Sequence, residues 1–132
     1  MDERMKQSKK VQIASETAVK VTSKKISDTL AVVEIEDKLM TEEHISMLTG
    51  AVKELLDQNI KESVVDLSKI KRINSSGLGS LISVYTTVKN KDGNLKIGGL
   101  NEFVKNVLNI TKLIEVFEIF PTQEEAVKSY TA

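Results

Sequence analysis

Apolar and polar positions along the chain follow two different periods, one typical of strands and one typical of helices. Near the start, Val19 and Val21 alternate with polar neighbours, which predicts a half-exposed, peripheral strand. After a polar turn, residues 30–35 are almost continuously apolar and β-branched, which predicts a central strand covered on both faces. Residues 63–67 and 95–97 predict two further inner strands, and residues 114–120 predict a last, more exposed strand.

Four other segments have apolar residues at helical spacing. Residues 41–59 predict the first helix, with Thr41 as its N-cap and two glutamates in its first turn. A second helix begins near Asn74, a third follows a cap at Asn101, and a fourth begins with capping-box spacing at Thr122. Strands that alternate with helices predict an α/β fold, in which about four helices pack against a central mixed or mainly parallel sheet.

Composition narrows the chemistry that this fold can perform. Of 132 residues, 40% are apolar and 29% are charged, as expected for one compact domain. Nineteen basic residues balance nineteen acidic ones, so no basic surplus points to direct nucleic-acid binding. Because the chain has no cysteine and one histidine, thiol chemistry, a multi-histidine metal site and most hydrolase mechanisms are excluded. We therefore expect no enzyme activity, no cofactor and no metal.

The N-terminal region carries no targeting signal that we recognise. Residues 1–16 are too polar for a signal peptide, and no apolar run approaches the roughly 20 residues of a membrane helix. We therefore expect a cytoplasmic protein that does not bind membranes. Residues 1–17 predict a flexible arm, although a partner-binding tail would have the same composition, and residues 18–132 predict the folded domain.

The most informative segment is the strand-to-helix junction at residues 74–79, Asn-Ser-Ser-Gly-Leu-Gly. Asn and Ser side chains accept hydrogen bonds from the free amides of a helix start, and glycine removes bulk at a tight turn or packing site. One such residue is enough for a cap, so two hydroxyls before two glycines predict an exposed hydroxyl surface. A phosphoryl group there would be favoured by the helix dipole and by nearby backbone amides.

Residues 64–68 (Val-Val-Asp-Leu-Ser), followed by residues 73–79, resemble the signature of STAS domains, especially the bacterial anti-sigma factor antagonists. The resemblance extends from about Val19 to Tyr130. It implies that Ser75, the first hydroxyl of the motif, is phosphorylated by an anti-sigma factor with serine kinase activity. Ser76 is the second choice, and helix capping is its expected role. The sequence departs from the family at Asn74, where Asp is usual, so an acceptor oxygen remains but one negative charge is lost.

The resemblance implies a phosphorylation-switched protein-binding module that regulates transcription. Unphosphorylated, it would bind the anti-sigma factor and release a sigma factor, and phosphorylation of Ser75 would end that complex. We expect a monomer or weak dimer whose partner-binding surface consists of Asn74, Ser75, Ser76, Gly77, Lys71 and Arg72. The alternative is a STAS scaffold subunit of a stressosome-like or lipid-transport complex, which would work without phosphorylation.

Three further features have simpler interpretations. Lys71 and Arg72 could meet phosphates or acidic residues of a partner, but a solvated polar turn at residues 68–72 explains them equally well. Gly77 and Gly79 are weak evidence for a nucleotide loop, because no third glycine and no Gly-Lys-Ser/Thr sequence follows. His44, in the first helical turn, is expected to be an exposed or half-buried surface residue rather than a ligand or base.

Overall fold

The computed structural model describes residues 19–131, and the predicted arm, residues 1–17, lies outside the described residues. The elements follow one another in an α/β order. They are β1 (Lys20–Lys25), β2 (Leu30–Leu39), α1 (Glu42–Asp57), β3 (Glu62–Ile73), α2 (Ser75–Asn90), β4 (Asn94–Gly98), α3 (Glu102–Ile110), a 3-10 turn (Leu113–Glu115), β5 (Ile119–Phe120) and α4 (Gln123–Thr131). The predicted fold class is confirmed.

The five strands form one mixed sheet in the order β1-β2-β3-β4-β5. β1 is antiparallel to β2, and the remaining neighbours are parallel. β1 is the predicted peripheral strand, and its exposed lysines discourage pairing with a further chain. Because β2, β3 and β4 are parallel, their carboxyl ends lie at one edge of the sheet, and α1, α2 and α3 begin there. We call this edge the carboxyl edge.

The two faces of the sheet carry cores of different size. α1, α2 and α3 cover one face, where residues such as Val33, Val65 and Ile97 of the sheet are fully buried. α4 covers the other face, over a smaller cluster that includes Val64 and Ala126. Most of the hydrophobic stabilisation therefore lies on the side of the sheet that positions α2.

β3 is longer than the sequence predicts. Residues 68–72, expected to form a polar turn, continue the strand to Ile73 and pair in parallel with residues 36–39 of β2. Two register shifts interrupt this pairing, and Ile70 is fully buried. Strand pairing and burial of Ile70 outweigh the polar composition of the segment, so the predicted turn is wrong. β2 and β3 thus extend past β4 as a two-stranded extension that leads directly into α2.

A second difference lies before β5. Residues 114–120, predicted as a strand, include part of the 3-10 turn, and only Ile119 and Phe120 join the sheet. Lys112 adopts a left-handed conformation (φ 66°) where α3 ends. Phe117 is 5% exposed and packs edge-on against the Tyr85 ring, with 5.3 Å between centroids. The apolar residues of this segment therefore pack against α2 and the core instead of forming a long strand.

α4 is held on its face by polar contacts around the small apolar cluster. Gln123 donates through Nε2 to carboxylates of β2 and β3, at 2.8 Å each. At the other end of the helix, the Tyr130 hydroxyl donates to the Ser63 carbonyl at 2.9 Å. Burial, together with the nearby Glu62 carboxylate, raises the pKa of Tyr130, so the phenol keeps its proton to a higher pH than an exposed tyrosine would.

Candidate functional site

The motif at residues 74–79 lies at the carboxyl edge, where β3 passes into α2. Asn74 is the N-cap, with an extended backbone (φ −116°, ψ −173°), and its Oδ1 accepts from the Gly77 amide at 2.9 Å. Ser75 and Ser76 occupy the first two helical positions, and both are exposed. The predicted helix start is confirmed. The capping role expected for Ser76 is wrong, because Asn74 occupies the extended cap position and Ser76 lies within the helix.

The two glycines of the motif have different surroundings. A Cβ on Gly77 would overlap the carbonyl oxygen of Leu39, so α2 approaches the end of β2 more closely than any larger residue would allow. A Cβ on Gly79 would meet no atom within 4 Å. The fold therefore needs glycine at position 77 and does not need it at position 79, although glycine in a helix costs about 1 kcal/mol relative to alanine.

Asn74 also contacts the connection between β2 and α1. Its Nδ2 donates to the Met40 carbonyl at 3.1 Å, across 34 positions of sequence. Because an aspartate side chain could not donate this bond, the departure from the usual family residue adds a contact as well as removing a charge. The amide thereby fixes the start of α2 against the end of the neighbouring strand.

His44 is buried, with 5% of its surface exposed, and the expectation of an exposed or half-buried residue is wrong. The ring turns back over the start of α1, where Nδ1 accepts from the amides of Met40 and Thr41 at 3.0 and 3.2 Å. Thr41 Oγ1 in turn accepts from the His44 amide at 3.1 Å. This is a capping box with histidine in the usual place of Glu or Gln, and the Thr-to-His spacing was the sequence signal for it.

Positive charge lies on the two-stranded extension beside the motif. Lys71 and Arg72 are exposed on β3, and Lys38 of β2 lies opposite Arg72 in the register. Within residues 19–131, none of the three cations forms an ion pair. Sequence reasoning singled out Lys71 and Arg72, whereas Lys38 joins them only through strand pairing.

The N-terminus of α2 differs in charge from the starts of the other three helices. The first turns of α1, α3 and α4 each contain one or two glutamates, whereas the first turn of α2 contains no acid. The positive end of its dipole therefore lacks a carboxylate on its own helix. The amides of Ser75 and Ser76 belong to the first turn, where helix geometry provides no intrahelical acceptor. This end of α2 can accept an anion and present a hydroxyl together.

Residues 19–131 contain no cluster of three or more His, Cys, Asp or Glu side chains suited to a metal ion. Among the helices of this part of the chain, none combines the length and the apolar character that crossing a bilayer requires.

Comparison with known proteins identifies the family. The STAS domain profile matches residues 20–126. One curated relative, from Thermotoga neapolitana, is 29% identical over 75 residues, and its name assigns it to the anti-sigma factor antagonists. The match spans 57% of this chain and 66% of the relative, just under two thirds of the relative's length. The solved structure of an anti-sigma factor antagonist from Mycobacterium paratuberculosis has a TM-score of 0.74 at 18% identity, covering 86% of this chain and 95% of that one.

The same fold occurs in the Bacillus cell fate determinant SpoIIAA, solved in its phosphorylated form. Its TM-score is 0.65 at 13% identity, and the match covers 83% of this chain and 98% of SpoIIAA. At this level of identity the two structures share the fold, while the sequence profile identifies the family. The chain belongs to the STAS domain family.

Proposed function

We propose that this protein is an anti-sigma factor antagonist whose binding to a serine-kinase anti-sigma factor is switched by phosphorylation of Ser75. The observation that carries the proposal is the exposed Ser75 hydroxyl at the first position of α2, at a helix start that holds no acid. The name of the Thermotoga relative supports the class of partner. The phosphorylated form of SpoIIAA supports a phosphate on this fold.

Ser75 is accessible to a kinase. Among the described residues, no hydrogen bond engages its hydroxyl, which is therefore free to turn toward an incoming phosphate. Gly79, one turn later on the same face, adds no side chain that would obstruct the approach. In the transfer, the Ser75 oxygen bonds to the γ-phosphorus of ATP, the bond to the β-phosphate oxygen breaks, a base of the kinase takes the hydroxyl proton, and ADP leaves.

The free domain can hold the phosphate without unfolding. An anion at a helix N-terminus is stabilised by about 0.3 to 1 kcal/mol, and the amides of the first turn are available as donors. Lys71 and Arg72 add positive charge just before the motif. Asn74 contributes an amide where the family usually has a carboxylate, so a phosphate on Ser75 meets one negative charge fewer.

The same phosphate opposes docking. It adds about 1.5 to 2 units of negative charge to a surface that is solvated in the free protein. A partner docked over Ser75 would have to desolvate that charge or supply new cations, and desolvation of an ion costs several kcal/mol. Phosphorylation therefore releases the anti-sigma factor while the antagonist stays folded.

The experiment combines the purified chain, ATP and each serine-kinase anti-sigma factor of the source organism. We expect mass spectrometry to find phosphate on Ser75, none in Ser75→Ala, and normal incorporation in the matched control Ser76→Ala. Binding measured by calorimetry should be unchanged in Ser75→Ala and at least about tenfold weaker in Ser75→Asp. Absence of phosphate on Ser75, with undiminished binding by Ser75→Asp, would contradict the proposal and favour a scaffold that works without phosphorylation.

A further inference from the structure

Two side chains hold the backbone of Met40 from opposite sides. His44 Nδ1 accepts from the Met40 amide at 3.0 Å, and Asn74 Nδ2 donates to the Met40 carbonyl at 3.1 Å. His44 lies in the first turn of α1, and Asn74 is the N-cap of α2. A single residue of the β2–α1 connection thus joins the starts of two helices that are far apart in sequence.

The imidazole does more than close the cap of α1. The Thr41 hydroxyl already accepts from the His44 amide, which satisfies one free donor of the first turn. The ring nitrogen adds two bonds to amides that precede the helix, one of them on Met40. Both bonds run from backbone amides to the ring, so Nδ1 acts here as the acceptor.

The first turn of α2 is fixed to residues 39–40 at two points. Asn74 binds the Met40 carbonyl, and Gly77 lies so close to the Leu39 carbonyl that it leaves no room for a Cβ. Asn74 Oδ1 also accepts from the Gly77 amide, so one side chain contacts both the connection and the helix. A displacement of Met40 would therefore change the first turn of α2, which carries Ser75.

We propose that His44 is a positioning residue for Ser75. Through Met40 and Asn74 it fixes the first turn of α2, and so sets the direction in which the Ser75 hydroxyl faces a partner. The consequence for partner binding rests on the proposed function, whereas the coupling between the two helix starts is a property of the isolated chain. A test on the isolated chain can therefore support or overturn the coupling independently of the proposed function.

The test measures amide hydrogen exchange by NMR in two His44 variants of the full chain. His44→Asn keeps an acceptor at the δ1 position, and His44→Leu has as many side-chain heavy atoms as Asn but no acceptor there. We expect exchange of the Gly77 amide to become about fivefold faster in His44→Leu and to return toward the original rate in His44→Asn. The Val104 amide, which donates to the equivalent Asn101 cap of α3, is the control and should not change.

A second variant tests the coupling in the other direction without removing a cap. Asn74→Ser keeps a good N-cap acceptor but lacks the amide that donates to Met40. We expect faster exchange of the Met40 and Thr41 amides, both of which donate to His44.

Unchanged Gly77 exchange in His44→Leu, or an equal increase at Val104, would show that His44 serves only α1 or general stability, and would overturn the proposal. Unchanged Met40 and Thr41 exchange in Asn74→Ser would overturn it as well. If the exchange results hold but no kinase modifies Ser75, the coupling stands and the proposed function fails.

Discussion

Replacing Gly79 by alanine should make the fold more stable and at the same time weaken the binding of a partner to the proposed surface. A methyl group at this position would point into open space, and Gly79 is not among the residues with positive φ. Alanine is favoured over glycine inside a helix by about 0.8 to 1 kcal/mol. Because position 79 lies near the helix start, we expect Gly79→Ala to raise the free energy of unfolding by up to about 1 kcal/mol, measured by urea denaturation.

The same methyl group should weaken partner binding. Residues four apart on a helix are neighbours, so the group would stand beside Ser75 on the proposed interface. Extra volume in a closely packed contact costs about 1 to 3 kcal/mol, which corresponds to an affinity for the anti-sigma factor that is roughly 5- to 150-fold lower. Isothermal calorimetry with the purified anti-sigma factor measures this loss directly.

Gly50 provides a matched control. It also lies inside an exposed helical segment, and a Cβ there would also meet no atom within 4 Å, but it belongs to the middle of α1, outside the proposed surface. Gly50→Ala should give a similar gain in stability with no loss of affinity. Equal affinities for Gly50→Ala and Gly79→Ala would refute the reasoning that Gly79 keeps space for a partner, and a less stable Gly79→Ala would refute the packing argument.

Two further substitutions test the fold that supports the site. Gly77→Ala places a Cβ on the Leu39 carbonyl, so we expect the free energy of unfolding in urea to fall by about 2 kcal/mol or more, and a neutral effect would contradict the close approach. Tyr130 has a raised pKa in the folded state, so above pH 10, near the ordinary tyrosine value, the unfolded chain binds fewer protons and stability falls as pH rises. Tyr130→Phe should remove this contribution, and superimposable profiles of the two proteins between pH 8 and 11 would be evidence against it.

Much of the fold could be predicted from local patterns, because strands, helices and caps depend on nearby residues. Thr41 and Asn101 are the caps that their side chains predicted, whereas α2 is capped by Asn74 and not by Ser76. The predictions that proved wrong concern segments whose structure depends on contacts with residues far away in the sequence. The polar residues before α2 continue β3 because they pair with β2 and because Ile70 is buried in the core. The segment before β5 packs Phe117 against α2 instead of forming a long strand.

The candidate site was predictable only as far as its contiguous motif. The exposure of Ser75 follows from residue types at a helix start, whereas residue types alone do not show which of the polar side chains at positions 74–76 is the cap. The bond from Asn74 to Met40 depends on how closely α2 approaches the end of β2, which no local pattern reveals. Lys38 joins the cations of β3 only through the register of two strands. His44 had the spacing of a capping box, but the burial of its ring depends on the surrounding fold.

The most direct test of the proposed switch compares the anti-sigma factor affinity of two homogeneous samples of the same chain. One is unmodified, and the other is fully phosphorylated on Ser75, with the site verified by mass spectrometry and the fold by circular dichroism. We predict native spectra for both and an affinity at least about 100-fold lower for the phosphorylated chain, equivalent to about 2.7 kcal/mol. Equal affinities would contradict the claim that the charge on Ser75 controls binding.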